Sequence, residues 1–187
     1  DGTTSGGGTL EGTLTIAASS GVVTYSGLDY TKLEDIKLKA SSGSLTAVNS
    51  STIAMSAAPV ASIGFTTEPA STATAGVDFT AQPVITLYDA YSNICTNDST
   101  TQVILSAVLA SDGTTTGGGT LEGTLTIAAA SGVVTYSGLD YTKLEDIKLK
   151  ASSGVLTAVN SSTIAMSAAP VASIGFTTEP ASTATAG

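Results

Sequence analysis

The sequence predicts an all-β protein, a two-layer β-sandwich repeated in tandem, and three observations carry that reading. Apolar residues alternate with polar ones at a period of two in several short runs. Clusters of Gly, Asp, Asn and Ser break these runs at the spacing of short antiparallel strands, and no stretch sustains a 3.6-residue period. The chain also repeats itself: Asp1–Gly76 recurs as Asp112–Gly187, a unit of 111 residues. That is the size of an independent domain and too long for a solenoid rung.

In chain order, Ala61-Ser62-Ile63-Gly64-Phe65-Thr66-Thr67 reads as a first strand, with Pro69 suited to an edge or a switch between sheets. Ile85 and Leu87 alternate with Val84, Thr86 and Tyr88. Val103, Leu105 and Ala107 alternate with Gln102, Ile104 and Ser106. From Thr120 to Ile127 the apolar Leu121, Leu125 and Ile127 share one face. In Asp146–Ala151, Ile147, Leu149 and Ala151 point inward while Lys148 and Lys150 point to water. Thr163–Ser167 reads as the last strand. The helix-like fragment Thr142–Asp146 is at most one turn. About seven short strands, each apolar on one face, are satisfied by two sheets packed face to face.

The phase of the unit follows. Residues 60–169 form one complete repeat, 1–58 the rear part of a preceding one, and 171–187 the first strand or strands of the next. The joins Ala57-Ala58-Pro59-Val60 and Ala168-Ala169-Pro170-Val171 are short and contain proline, which restricts the angle between neighbours. The two copies differ at three positions, Ser5/Thr116, Ser19/Ala130 and Ser44/Val155, and Val77–Ser111 occurs once.

Composition narrows function by exclusion. The 187 residues include no His and no Trp, and all six cationic side chains are lysine. The net charge of −9 leaves no means of neutralising a row of phosphates, so nucleic acid is excluded as a partner. Catalysis has no imidazole for proton transfer near neutral pH and no guanidinium fork for anions. A hydrophobic fraction of 42% and a mean hydropathy of +0.33 exclude a disordered chain. No apolar run is long enough for a membrane-spanning helix.

The order Ile63-x-Phe65-Thr66-Thr67-x-Pro69, Ala75-Gly76-x-x-Phe79 and Pro83–Asn93 resembles the bacterial immunoglobulin-like repeats of large surface proteins. Gly119-Thr120-Leu121-x-Gly123-Thr124, Gly132–Leu139 and Leu149-x-Ala151-Ser152-Ser153-Gly154 continue the likeness through the whole unit. The resemblance implies an immunoglobulin-like sandwich serving in extracellular stalks, adhesin shafts or filaments. The sequence departs from the family at Ser92, where glycine is usual, so the turn after Asp89 needs its own account.

Several residues invite chemistry. Cys95 is the sole thiol and reads as a buried, inert filler, with a disulfide to a neighbouring fibre as the alternative. Asp89, Asn93 and Asp98, with Asn97 nearby, gather in loops where hard oxygen ligands suit calcium, but their spacing matches no calcium loop and ordinary Asx-turn chemistry is the preferred reading, with calcium the weaker alternative. No other cofactor is indicated. Asn49, Asn97 and Asn160 each satisfy the N-x-S/T glycosylation spacing. Glu145 and Asp146 are adjacent, point to opposite faces and read as a solvated corner. Lys148 and Lys150 face outward, which argues against an activated amine forming an isopeptide cross-link. The run Thr114–Gly119 lacks the lysine of a phosphate loop and reads as a flexible loop.

Near-identical copies serve a function that depends on number, so the expectation is a non-catalytic structural repeat of a cell-surface stalk or filament whose partners are other copies of itself. An adhesin repeat that binds a sugar, protein or surface through its loops is the alternative, with avidity from repetition. Copies would meet end to end or by strand donation, and in the latter case Ile174 and Phe176 would enter another chain's sandwich.

Overall fold

The computed structural model describes residues 3–185, and no helix occurs among them. Four two-residue strands come first: β1 (Leu10–Glu11), β2 (Asp29–Tyr30), β3 (Lys39–Ala40) and β4 (Val48–Asn49). Then follow β5 (Ser62–Thr67), β6 (Thr72–Thr74), β7 (Val84–Tyr88), β8 (Gln102–Leu109), β9 (Leu121–Glu122) and β10 (Thr126–Ala128). The last are β11 (Val133–Thr135), β12 (Asp140–Tyr141), β13 (Ile147–Ser152), β14 (Val159–Asn160) and β15 (Ala165–Ser167).

Between residues 60 and 169 the strands assemble as in a β-sandwich. One sheet runs β10-β8-β13-β14 and another runs β11-β7-β5, all antiparallel. The inner faces meet in one core, in which Ile85 and Leu87 of β7, Val103 and Leu105 of β8, and Ile147, Leu149 and Ala151 of β13 are buried. The alternation in β8 and β13 reads directly into this packing, with Ile104 and both lysines outside the core. Thr86 breaks the alternation. It is buried on the outer face of β7, where its hydroxyl meets that of Thr66 at 2.9 Å, so burial leaves neither hydroxyl unpaired.

Pro69 marks the switch between sheets. β5 pairs with β7, whereas β6, after the proline, pairs in parallel with β15. On the way back, the chain passes from β10 to β11 through Ser131-Gly132. Both residues have positive φ, and Ala130 and Val133 are closed by two hydrogen bonds of 2.8 and 3.1 Å. That is the geometry of a two-residue primed turn. The long strand expected over Thr120–Ile127 is broken at Gly123, whose φ of 101° bends the chain so that β9 pairs with β12 and β10 with β8. A side chain at Gly123 would stand 2.5 Å from the Gly138 carbonyl oxygen.

The two sequence copies do not fold alike. In 112–169, Val134, Tyr136, Leu139 and Ile164 are almost fully buried, while their counterparts Val23, Tyr25 and Ile53 in the first copy are exposed and Leu28 is only half-buried. The strands that survive in the first copy, β1 with β2 and β3 with β4, find their partners inside it. The counterparts of β10, β11 and β15 form no strand among residues 3–58, whereas β10, β11 and β15 themselves pair with β8, β7 and β6. A strand without a partner leaves its amides unpaired, and an apolar face without an opposing sheet gains nothing from burial. The expected first strand at 171–187 is likewise not formed over the described residues 171–185.

Candidate functional site at the junction between copies

A polar contact ties the first copy to the turn that follows β7. Its first half is a tip, Thr31-Lys32-Leu33-Glu34, which follows β2. The Tyr30 hydroxyl and the Glu34 carboxylate accept backbone N–H groups of Gly8 and Gly7, and the same hydroxyl donates to Glu34. The second copy repeats the arrangement. There Tyr141 donates to Glu145, Gly119 N–H donates to the Tyr141 oxygen at 2.7 Å, and Lys143 pairs with Glu145 at 3.0 Å. Burial, with help from that Glu145 bond, pushes the Tyr141 hydroxyl up to about 12. The same bond, together with Lys143, holds Glu145 down at about 2.

Two sequence expectations are corrected here. The triple glycine is not a flexible loop but a seat: a Cβ on Gly119 would lie 2.6 Å from Lys143 Cβ, and one on Gly117 2.3 Å from the Tyr141 oxygen. Glu145 is no solvated corner either, since it grips that seat. Asp146 does face elsewhere, accepting from Met166 N–H at 3.2 Å.

The second half is a clamp made by the turn after β7. Asp89 is buried, and its Oδ1 accepts the N–H groups of Tyr91 and Asn93, each at 2.9 Å. Its Oδ2 accepts from Ala58 N–H at 3.2 Å and from Asn93 Nδ2 at 3.0 Å. Burial alone would raise this carboxyl, but the bonds from Asn93, Tyr91 and Ala58 outweigh it and hold Asp89 below the ordinary range. Asn93 then reaches across to the tip. Its Oδ1 accepts from Leu33 N–H and its Nδ2 donates to the Thr31 carbonyl, both at 3.0 Å. Leu33 packs against the core of the sandwich, of which the buried Ala57 is also part.

Cys95 lies beneath the join. It is 1% exposed, with its Sγ 3.6 Å from the Ala58 carbonyl oxygen, and burial followed by the charges of Asp89 and Asp98 raises its pKa. A raised thiol is a poor nucleophile, and a covered one is out of reach of a neighbouring fibre. Asn97 donates to the Ala57 carbonyl at 3.2 Å, adding a further bond to the join.

The oxygens proposed for calcium are thus engaged in backbone contacts. Asp98 closes its own turn by accepting from Thr100 and Thr101 N–H and from the Thr101 hydroxyl at 2.7 Å. Among the described residues no three His, Cys, Asp or Glu side chains gather to hold a metal ion. Asn49, Asn97 and Asn160 are all exposed. Asn160 donates to the Gly113 carbonyl at 2.8 Å. Ile174 and Phe176 are exposed and belong to no strand. Lys148 and Lys150 are half-buried on β13, where Lys150 stands opposite Asn160.

Sequence reasoning grouped Asp89, Asn93 and Asn97 but missed their role. Thr31 and Leu33 lie some sixty positions upstream, and no local pattern links a tip to a turn across that distance. Asn93 also lies in the stretch that occurs once, so the duplication did not point to it either. Comparison of the chain with protein-family models and with curated proteins found no match to either.

Proposed function

We propose that this chain is part of an extracellular, cell-surface stalk or filament, built from immunoglobulin-like sandwich repeats set end to end and without catalytic activity. The junction carries this reading. The tip occurs in both copies and the clamp once, in the stretch 77–111 that completes the 111-residue period, so a chain continuing that period would repeat the same contact at each join. Differences confined to Ser5/Thr116, Ser19/Ala130 and Ser44/Val155 leave the two tips identical. The non-catalytic part of the proposal rests on the absence of histidine from the sequence and on the burial of its single thiol.

The end-to-end form of the proposal is supported by the bonds of Asn93 to Thr31 and Leu33, which tie one stretch of the chain to the next without exchanging a strand.

The test is a pair of measurements on arrays with increasing numbers of the unit. Contour length in electron micrographs should grow by about 30–40 Å per copy, the span set by strand rise. The same arrays, presented to panels of glycans and surface proteins, should show no saturable binding. Saturable binding by the chain as it stands would transfer the function to an adhesin.

A further inference from the structure

We propose that Asp89 is an acid-sensitive latch: a proton on its carboxylate opens the contact that holds residues 3–58 to the sandwich, while the sandwich itself stays folded. The property belongs to the chain whether or not it serves as a stalk. Among the described residues no strand pairing crosses the join. The strands β1 to β4, and the bridges of Ser19 with Val22 and Ile36 with Ile53, all close within the first copy. Side chains of the turn after β7 hold that copy instead. Ala58 N–H donates to Asp89 Oδ2, Leu33 N–H donates to Asn93 Oδ1, and Asn93 Nδ2 donates to the Thr31 carbonyl.

Asp89 governs all three bonds. It makes the first itself and aims Asn93 for the other two, because the N–H and the Nδ2 of Asn93 both donate to it. An ionised carboxylate offers two acceptor oxygens and no donor, and here each oxygen takes two donors. Oδ2 is the more loosely held, at 3.0 and 3.2 Å against 2.9 Å for both Oδ1 bonds, so it takes the proton. A buried O–H there sets donor against donor at Ala58 and at Asn93 Nδ2. Leu33, only half-buried, then loses the amide that orients it, and the Asn97 bond to the Ala57 carbonyl lies in the join and does not reach the tip. No neighbouring charge replaces the one lost. Cys95, Asp98, Tyr88 and Tyr91 belong to the same turn or its strand, β5 and β11 carry no titratable group, and Ala57 and Ala58 have none. On the tip, Lys32 pairs with Glu34 at 3.6 Å. The four bonds hold the Asp89 carboxyl below its ordinary 3.8, so the latch is closed above that pH and opens as pH falls below it.

The test is amide hydrogen exchange, followed by NMR on the whole chain. Asp89→Asn puts a donor in place of one carboxylate oxygen at every pH. At pH 7 this variant should lose about tenfold or more of the protection at Leu33 and Ala58, as expected for bonds that depend on a charged group. Ile147 and Ile164, which bond each other in the sandwich, should keep theirs. Unchanged protection at Leu33 and Ala58 overturns the proposal. If the variant does not fold, the Glu34→Gln chain is titrated downward from pH 7 instead. Glutamine keeps an acceptor for Gly7 N–H and removes the carboxyl next to Leu33. Protection at Leu33 and Ala58 should then fall with the midpoint of the Asp89 carboxyl resonance, at a higher pH than any loss at Ile147 and Ile164. Loss at all four amides together, or none at Leu33 and Ala58 as Asp89 titrates, overturns the proposal.

Discussion

At the scale of single residues, backbone geometry explains the one departure from the resembled family. Ser92 has φ of 64°, in the left-handed region where a Cβ meets the following carbonyl. Its N–H donates to the Asp89 carbonyl at 3.1 Å, so the turn keeps its shape and the serine bears the strain. Glycine relieves that strain, at some cost in unfolded-state entropy. Ser92→Gly is therefore expected to stabilise the protein by about 0.5–1 kcal/mol, read as a rise in the denaturant midpoint with an unchanged slope. The site was legible in the sequence only as an anomaly. Its meaning required the φ angle, since serine at such a position is compatible with several turn types.

The elements show how far pattern reading reaches and where it stops. β8 and β13 were legible because each is a central strand with one buried face, so alternation translates into burial residue by residue. The division between β9 and β10 was not, because a single glycine at φ of 101° redirects the chain without disturbing the alternation around it. The triple glycine was misread for a related reason. What holds Gly117–Gly119 is Tyr141, Lys143 and Glu145, more than twenty residues on, and local composition carries no trace of them. That seat has a pH signature. Glu145 is lowered from 4.5 to about 2 by the Tyr141 hydrogen bond and then by Lys143, so the folded form binds its proton more weakly than the unfolded chain does. Its contribution is fully present above pH 4.5 and is lost as pH falls toward 2. Side-chain carboxyl NMR should give Glu145 a midpoint near 2, and the Glu145→Gln variant should lose part of the fall in melting temperature over that window.

For the whole molecule, the duplication works as an internal control on what folding requires. Local propensity, turn chemistry and hydrophobic pattern are the same in residues 12–58 and 123–169 apart from Ser19/Ala130 and Ser44/Val155. Even so, Tyr136 is 1% exposed and donates to the Val103 carbonyl at 2.8 Å, while Tyr25 is 43% exposed. What separates them is a set of strands from the unduplicated stretch, above all β7 and β8. Sequence pattern therefore specifies which face a strand will bury, and topology decides whether anything is there to bury it against. A matched pair of variants measures that difference. Tyr136→Ala removes a fully buried ring and its hydrogen bond and should cost about 3–5 kcal/mol in the unfolding of the 60–169 core. Tyr25→Ala, the same change in the same local sequence, should stay within about 0.5 kcal/mol. Hydrogen exchange should agree, with the Val134 and Thr135 amides opening only with the core and the Val23 and Thr24 amides exchanging as free chain. Equal costs for the two tyrosines would mean that residues 3–58 find an opposing sheet in solution, and the end-to-end arrangement of copies would then give way to one in which strands are shared.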